Sequence, residues 1–155
     1  MNPSETLRTE IETATAELFF AGPGDRLHSE HRELPRTSDP EERVFWIASA
    51  VVEGPTTEKL AKTFPDAVTI ASVDLAQDGT VYVDLQSEEH ARFPALGSRM
   101  ELLTLYSLVN SIVHNVDLAD KVVILWNGRQ PVTFAGHVDT SRPLHFEPSL
   151  IARID

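Results

Sequence analysis

The spacing of apolar residues changes period several times along this chain, and each change marks an element. Thr13 to Ala21 is rich in strand formers and runs into Gly22-Pro23-Gly24-Asp25, a turn sequence. Leu27 to Arg36 is polar, carries two histidines, and fits a loop or an edge strand. Ser38-Asp39-Pro40-Glu41-Glu42 is a helix start: a capping side chain, a proline at the first helical position, and two acids at the positive end of the dipole. Val44, Ile47, Ala48 and Val51 then recur at i, i+3, i+4 and i+7, which predicts a helix over 40–53, closed by Gly54-Pro55.

Lys59 to Phe64 fits a further short helical turn. Ala67 to Leu75 sets Val68, Ile70 and Ser72 against Thr69, Ala71 and Val73, a strand pattern. Gln77-Asp78-Gly79 turns the chain into a return strand over 80–85, with Val81, Val83 and Leu85 on one face and Tyr82 on the other. A charged stretch at Glu88 to Arg92 and the breakers Pro94 and Gly97 make a loop. Ser98 and Glu101 have the spacing of a capping box, opening a long helix with Leu102, Leu105, Val109, Ile112, Val113 and Val116 as its stripe. Lys121 to Trp126 is almost continuously apolar, as a central buried strand is. Asn127-Gly128 is a strong two-residue hairpin signal, so Gln130 to Ala135 is expected to return antiparallel, with Pro131 forcing an edge or a bulge. This order predicts an α+β fold: two layers, a mixed or antiparallel sheet, and two helices on one face. Residues 1–12 are expected to be a flexible segment and 13–155 a single domain.

Composition narrows the function. Of 155 residues, 13 are Lys or Arg and 24 Asp or Glu, a net charge of −11, and there is no cysteine. A chain of this length buries about two-thirds of its surface, enough for one core. Its acidity repels phosphate backbones and anionic lipid, which argues against nucleic acid as a partner. Without cysteine there are no disulfides, thiolate nucleophiles or cysteine-ligated metals. No apolar run reaches the ~18–20 residues of a membrane span, and the first residues lack a signal sequence, so an export signal would have to lie ahead of Met1.

Candidate chemistry is sparse. His28, Glu30 and His31 have the spacing for a metal site on a helix, but they follow a Gly-Pro-Gly turn and fit a solvated loop better. The densest polar group is His137, Asp139, Ser141 and Arg142. On a strand, His137 and Asp139 would share a side and could ligate a metal, and Ser141 could be cast as a nucleophile; turn-forming hydrogen bonds are the plainer reading. Asp78 and Asp84 admit a two-carboxylate reading, yet Asp78 and Gly79, like Asn127 and Gly128, are explained by their turns. His114 and Asn115 are placed to meet the last carbonyls of the long helix. No phosphate loop, dinucleotide glycine pattern, zinc-protease helix or nucleophile elbow occurs, and no cofactor or metal site is read.

Six segments in order resemble the GerMN domain family of bacterial sporulation and germination proteins. They are Leu18-Phe19-Phe20, Glu53-Gly54-Pro55, Asp78 to Leu85, Leu102 to Ile112, Val123 to Gly128, and Gly136 to Leu144, within about residues 17–150. Gln86 before Ser87 departs from the family hairpin. The resemblance implies a fold like the ring-building modules of secretion systems and a place outside the cytoplasm in the cell envelope. Family members are often lipoproteins, so the missing cysteine fits a domain trimmed of its anchor. No catalytic residues carry over. The expectation is a non-enzymatic module for assembly with a protein partner or with itself. Two alternatives stand beside it: a cell-wall saccharide or peptide binder using the His137–Ser141 tail with Tyr82 and Trp126, and a metal-assisted hydrolase using His137 and Asp139.

Overall fold

The computed structural model describes residues 12–153, so most of the expected flexible segment lies outside the described residues. Strand β1 (Thr13–Gly22) pairs antiparallel with β2 (Arg26–Pro35) as a two-stranded sheet. The turn between them puts Gly24 and Asp25 at positive φ, 78° and 53°. The Leu27–Arg36 segment is thus a strand, the second of the two expected forms. Both faces of β1 are covered. Ala16, Leu18 and Phe20 enter the main core, while Phe19 and Ala21 pack with Leu27, Leu103 and Leu150 in a smaller one.

Helix α1 (Pro40–Glu53) begins as the local chemistry dictates. The Asp39 carboxylate accepts the Glu41 N–H at 3.0 Å, and Gly54, at φ 112°, ends the helix with its N–H donating to Ala50 O at 3.1 Å. Val44, Ile47, Ala48 and Val51 are buried as their spacing predicts. No helical turn forms over 59–64. Ala61 N–H instead donates to Ala21 O (2.8 Å), and Phe64 fills the core.

The main sheet has the order β3-β4-β5-β6, with β3 (Thr69–Leu75), β4 (Thr80–Gln86), β5 (Lys121–Trp126) and β6 (Leu144–His145). β4 and β5 are parallel, and the crossover between them carries helix α2 (Ser98–Asn115). Val81, Val83, Leu85, Val122 and Ile124 share a core with residues of both helices, so the sheet is mixed with two helices on one face. A bulge between Ile70 and Ser72 breaks the expected alternation of β3, which lets both Ile70 and Val73 pack against the core.

Two local expectations are corrected. Ser98 does not cap α2: Gly97 holds the cap position with no side-chain bond, and the Glu101 carboxylate turns away into the protein. Gln130 to Ala135 is not a strand. Asn127 (φ 49°) and Gly128 (φ 82°) do make a tight turn, with Trp126 and Arg129 exchanging main-chain bonds of 2.7 and 3.1 Å. Beyond Arg129 the chain closes on itself. Pro131 has no N–H to give; its carbonyl accepts the Thr140 hydroxyl at 2.7 Å, and Thr140 N–H donates to Val132 O at 2.8 Å. The chain rejoins β5 only at Leu144-His145. A loop over 130–143 therefore interrupts the return strand.

Candidate functional site

That loop carries every residue of the predicted binding group, and one residue of α2 anchors it. Glu101 is 0 % exposed. Its carboxylate accepts the Ala135 N–H, the His137 N–H and the His137 ring at Nδ1, each at 2.9 Å. Burial opposes ionisation, but the Ala135 amide, the His137 ring and the amides of Val138 and His137 outweigh it and hold the carboxyl below its ordinary value. An ionised carboxylate only accepts, so Nδ1 carries the hydrogen. The His137 ring, half exposed, borders a small hollow with Ser98, Arg99, Leu102 and Val138.

The rest of the predicted group is engaged elsewhere. The Asp139 carboxylate accepts both the N–H (2.9 Å) and the hydroxyl (2.5 Å) of Ser141, and these bonds keep its carboxyl acidic. The Ser141 hydroxyl is thereby engaged within the turn. Arg142 lies exposed nearby, and its charge favours the Asp139 carboxylate in a small way. His137 and Asp139 share no strand and serve different partners. Among the described residues no group of three or more His, Asp and Glu converges as a metal site would require.

The two-carboxylate pair is also resolved into structure. Asp78 accepts the Thr80 N–H (3.0 Å) in its turn, and Asp84 accepts the Gly128 N–H (2.8 Å), tying β4 to the β5 turn. Asn115 meets a helix carbonyl as expected, donating to Ser111 O at 2.7 Å. His114 does not: its Nε2 lies 3.2 Å from the Glu17 carboxylate. Glu30, offered as a metal ligand, instead accepts the Arg32 guanidinium (2.5 Å) and the N–H groups of Thr56 (3.1 Å) and Thr57 (2.8 Å), while Arg32 donates to Gly54 O at 3.0 Å. Burial works against the Glu30 charge, and Arg32 with these amides overcomes it. The pair thus fixes the Glu53-Gly54-Pro55 corner.

Three features escaped the sequence. One is Glu101 as the loop anchor. Another is an aromatic pocket of about 250 Å³ beside the loop, where Phe93, Trp126 and Phe134 meet edge to face at 5.2 to 6.4 Å, with Arg92 and Pro131 on its wall. The third is a set of side chains along the free edge of β1. Arg43 donates to Thr15 O (3.2 Å), Asn115 pairs with both Glu17 N–H (3.0 Å) and Glu17 O (2.8 Å), and Ser111 accepts the Phe19 N–H (2.9 Å). Small polar residues inside an otherwise apolar helix were the available sign of this last feature.

A mixed sheet backed by two helices, with a hairpin packed across α2 and polar side chains holding loops, defines an α+β domain. The chain belongs to the Germane family, described as sporulation and spore germination, which matches residues 17–132. Solved structures share its fold. A lipoprotein candidate from Clostridium perfringens is 22% identical with a TM-score of 0.62, the match covering 90% of this chain and 93% of that one. The first GerMN domain of the Bacillus subtilis sporulation protein GerM is 20% identical at a TM-score of 0.63, covering 86% and 98%. The tandem GerMN domains of the same protein are 18% identical at 0.67, covering 86% of this chain and 46% of that one. No curated protein matches the chain. Among the described residues no helix is long and apolar enough to cross a membrane.

Proposed function

We propose that this chain is a non-enzymatic docking module of the bacterial cell envelope, working outside the cytoplasm in assemblies of the sporulation and germination type. The observation that carries the reading is where the carboxylates go. Glu30, Asp84, Glu101 and Asp139 all grip main-chain N–H groups of loops, so the fold holds a fixed shape to present to a partner. Family membership and the lipoprotein candidate among its structural relatives support the setting. The test is a light-scattering measurement at high concentration, paired with cross-linking in envelope extracts of the source bacterium. A discrete stoichiometric complex, with itself or with one partner, is expected. A monomer at every concentration, with no stoichiometric partner, would remove the role.

The aromatic pocket favours one second reading, a binder of cell-wall saccharide or peptide. Trp126 lines it with its indole N–H committed to Ala91 O (3.0 Å) and its ring set against Phe93 and Phe134, an apolar wall for a ligand; His137, Asp139, Ser141 and Arg142 on the adjoining loop would supply polar contacts. Sedimentation with purified cell wall tests it. Binding that is absent, or that Trp126→Phe and His137→Ala leave unchanged, counts against this reading.

A further inference from the structure

We infer that the groove between α1 and β3 receives an extended, basic peptide segment that adds to β3 as a further strand. This deepens the docking role, rests on it, and names its surface and its partner chemistry.

Two observations coincide there. First, β3 is the outer strand of its sheet. Beyond the ladder to β4, its main chain makes one other hydrogen bond among the described residues, Leu75 N–H to Glu41 Oε2 at 3.3 Å. In an antiparallel ladder alternate residues turn their N–H and C=O away from the partner strand. Leu75 is such a residue, so Val73 turns the same way and is unpaired on that side. Second, Phe45, Ser49 and Val52 of α1 face the start of β3, and with Val68, Thr69 and Ile70 they wall a groove of about 370 Å³ that leads toward Val73. Glu41 begins the same row and closes one end by taking the Leu75 N–H. Ser49, small and central, leaves the space open. Phe45 stands 39 % exposed on its wall. From Ile70, in the groove, to Val73 is ~13 Å of strand or less, and the volume is that of an ordinary ligand site. Main-chain bonds to β3 would give affinity, and alternate apolar side chains would enter the groove.

Charge selects the occupant. Of the charged residues lining the groove, Lys62 is paired with Asp66 at 3.0 Å, while Glu53 has no ionic partner among the described residues. Exposed Glu41 and acidic Asp74 flank the strand, in a chain of net charge −11. Lysine or arginine on the incoming segment complements this rim. An acidic segment, or a second copy of this chain, meets repulsion.

The test uses the labelled peptide acetyl-Lys-Val-Lys-Val-Lys-Val-amide, followed by fluorescence anisotropy. Saturable binding is expected, with amide resonance shifts at Ile70 to Val73. A peptide N-methylated at alternate amides, and one with Glu in place of Lys, should each bind at least about tenfold more weakly. Ser49→Arg, with an unchanged melting curve, should cost a similar factor. The inference is overturned by equal affinity of the N-methylated peptide, by a folded Ser49→Arg protein that binds as well as wild type, or by no saturation up to about 1 mM. The peptide comparison uses the wild-type protein and holds whether or not Ser49→Arg folds. A stoichiometric envelope complex that survives in folded Ser49→Arg also overturns the groove while leaving the docking role standing.

Discussion

Glu101 shows how a buried charge can be structural without a salt bridge to Lys or Arg. Two main-chain N–H groups and an imidazole surround its carboxylate, and removing it leaves these part-buried donors without an acceptor and a cavity where the carboxylate was. Glu101→Ala should therefore destabilise the fold by about 3 kcal/mol, read from urea unfolding. Glu101→Gln keeps the volume but turns an amide N–H toward other donors, and should cost about 1–2 kcal/mol. A pH dependence follows. The folded carboxyls of Glu30 and Glu101 both lie below the ordinary value of 4.5, so the unfolded chain takes up protons first as pH falls. Their contribution is present in full above that value and fades as pH drops through it toward the folded values. The urea midpoint should fall steeply below pH about 4.5 in the wild type and less steeply in Glu101→Ala. An identical pH profile in the two proteins would exclude Glu101 as a source of the acid sensitivity.

Elements whose cause is local were legible in the sequence, and those that depend on distant partners were not. The Asp39 cap, the Gly54 stop and the Asp78-Gly79 and Asn127-Gly128 turns each follow from a few adjacent residues. Gly128→Val should disrupt its turn, since φ of 82° excludes a β-branched side chain; a loss of about 2 kcal/mol is expected in thermal unfolding. By contrast, Ser-x-x-Glu spacing does not reveal whether the glutamate reaches back to the cap or across to a loop, and Glu101 does the second. The buried surface of α2 is wider than its i, i+3, i+4 stripe: Leu103, Leu108 and Ser111 are buried as well, because the helix is packed by the hairpin, by α1 and by the main sheet. The same helix hides a polar function. Its Asn115 and Ser111 occupy the outward N–H and C=O groups of β1, which would otherwise be an edge open to aggregation. Asn115→Ala should cost about 1–2 kcal/mol and increase turbidity on heating; unchanged stability and solubility would mean the edge needs no cover. The sequence of β2 fits a loop as well as a strand because its buried positions, Leu27, Glu30 and Leu34, do not alternate. Gln130 to Ala135 has the pattern of a strand because nothing near Gln130 announces that its side chain donates to Thr140 O.

The net charge of −11 acts over the entire surface, and it separates kinds of partner more sharply than any single contact does. An acidic body attracts basic segments from beyond contact distance, so it speeds encounter more than it slows release. Salt screens that attraction over about 10 Å at 0.1 M and about 3 Å at 1 M. Contacts inside the α1–β3 groove, made by main-chain hydrogen bonds and apolar side chains, are far less sensitive to screening. The two contributions can therefore be parted by kinetics. For the lysine–valine peptide, raising salt from about 0.05 to about 0.5 M should lower the association rate by about tenfold or more and change the dissociation rate by less than about threefold. Surface plasmon resonance across that range measures both. If dissociation carried the salt dependence instead, the bound state would be held by ion pairs at the rim, and strand addition would not be the main source of affinity. A neutral apolar peptide with free main-chain amides gives the complementary case. It should associate slowly at all salt concentrations and dissociate at nearly the rate of the basic one.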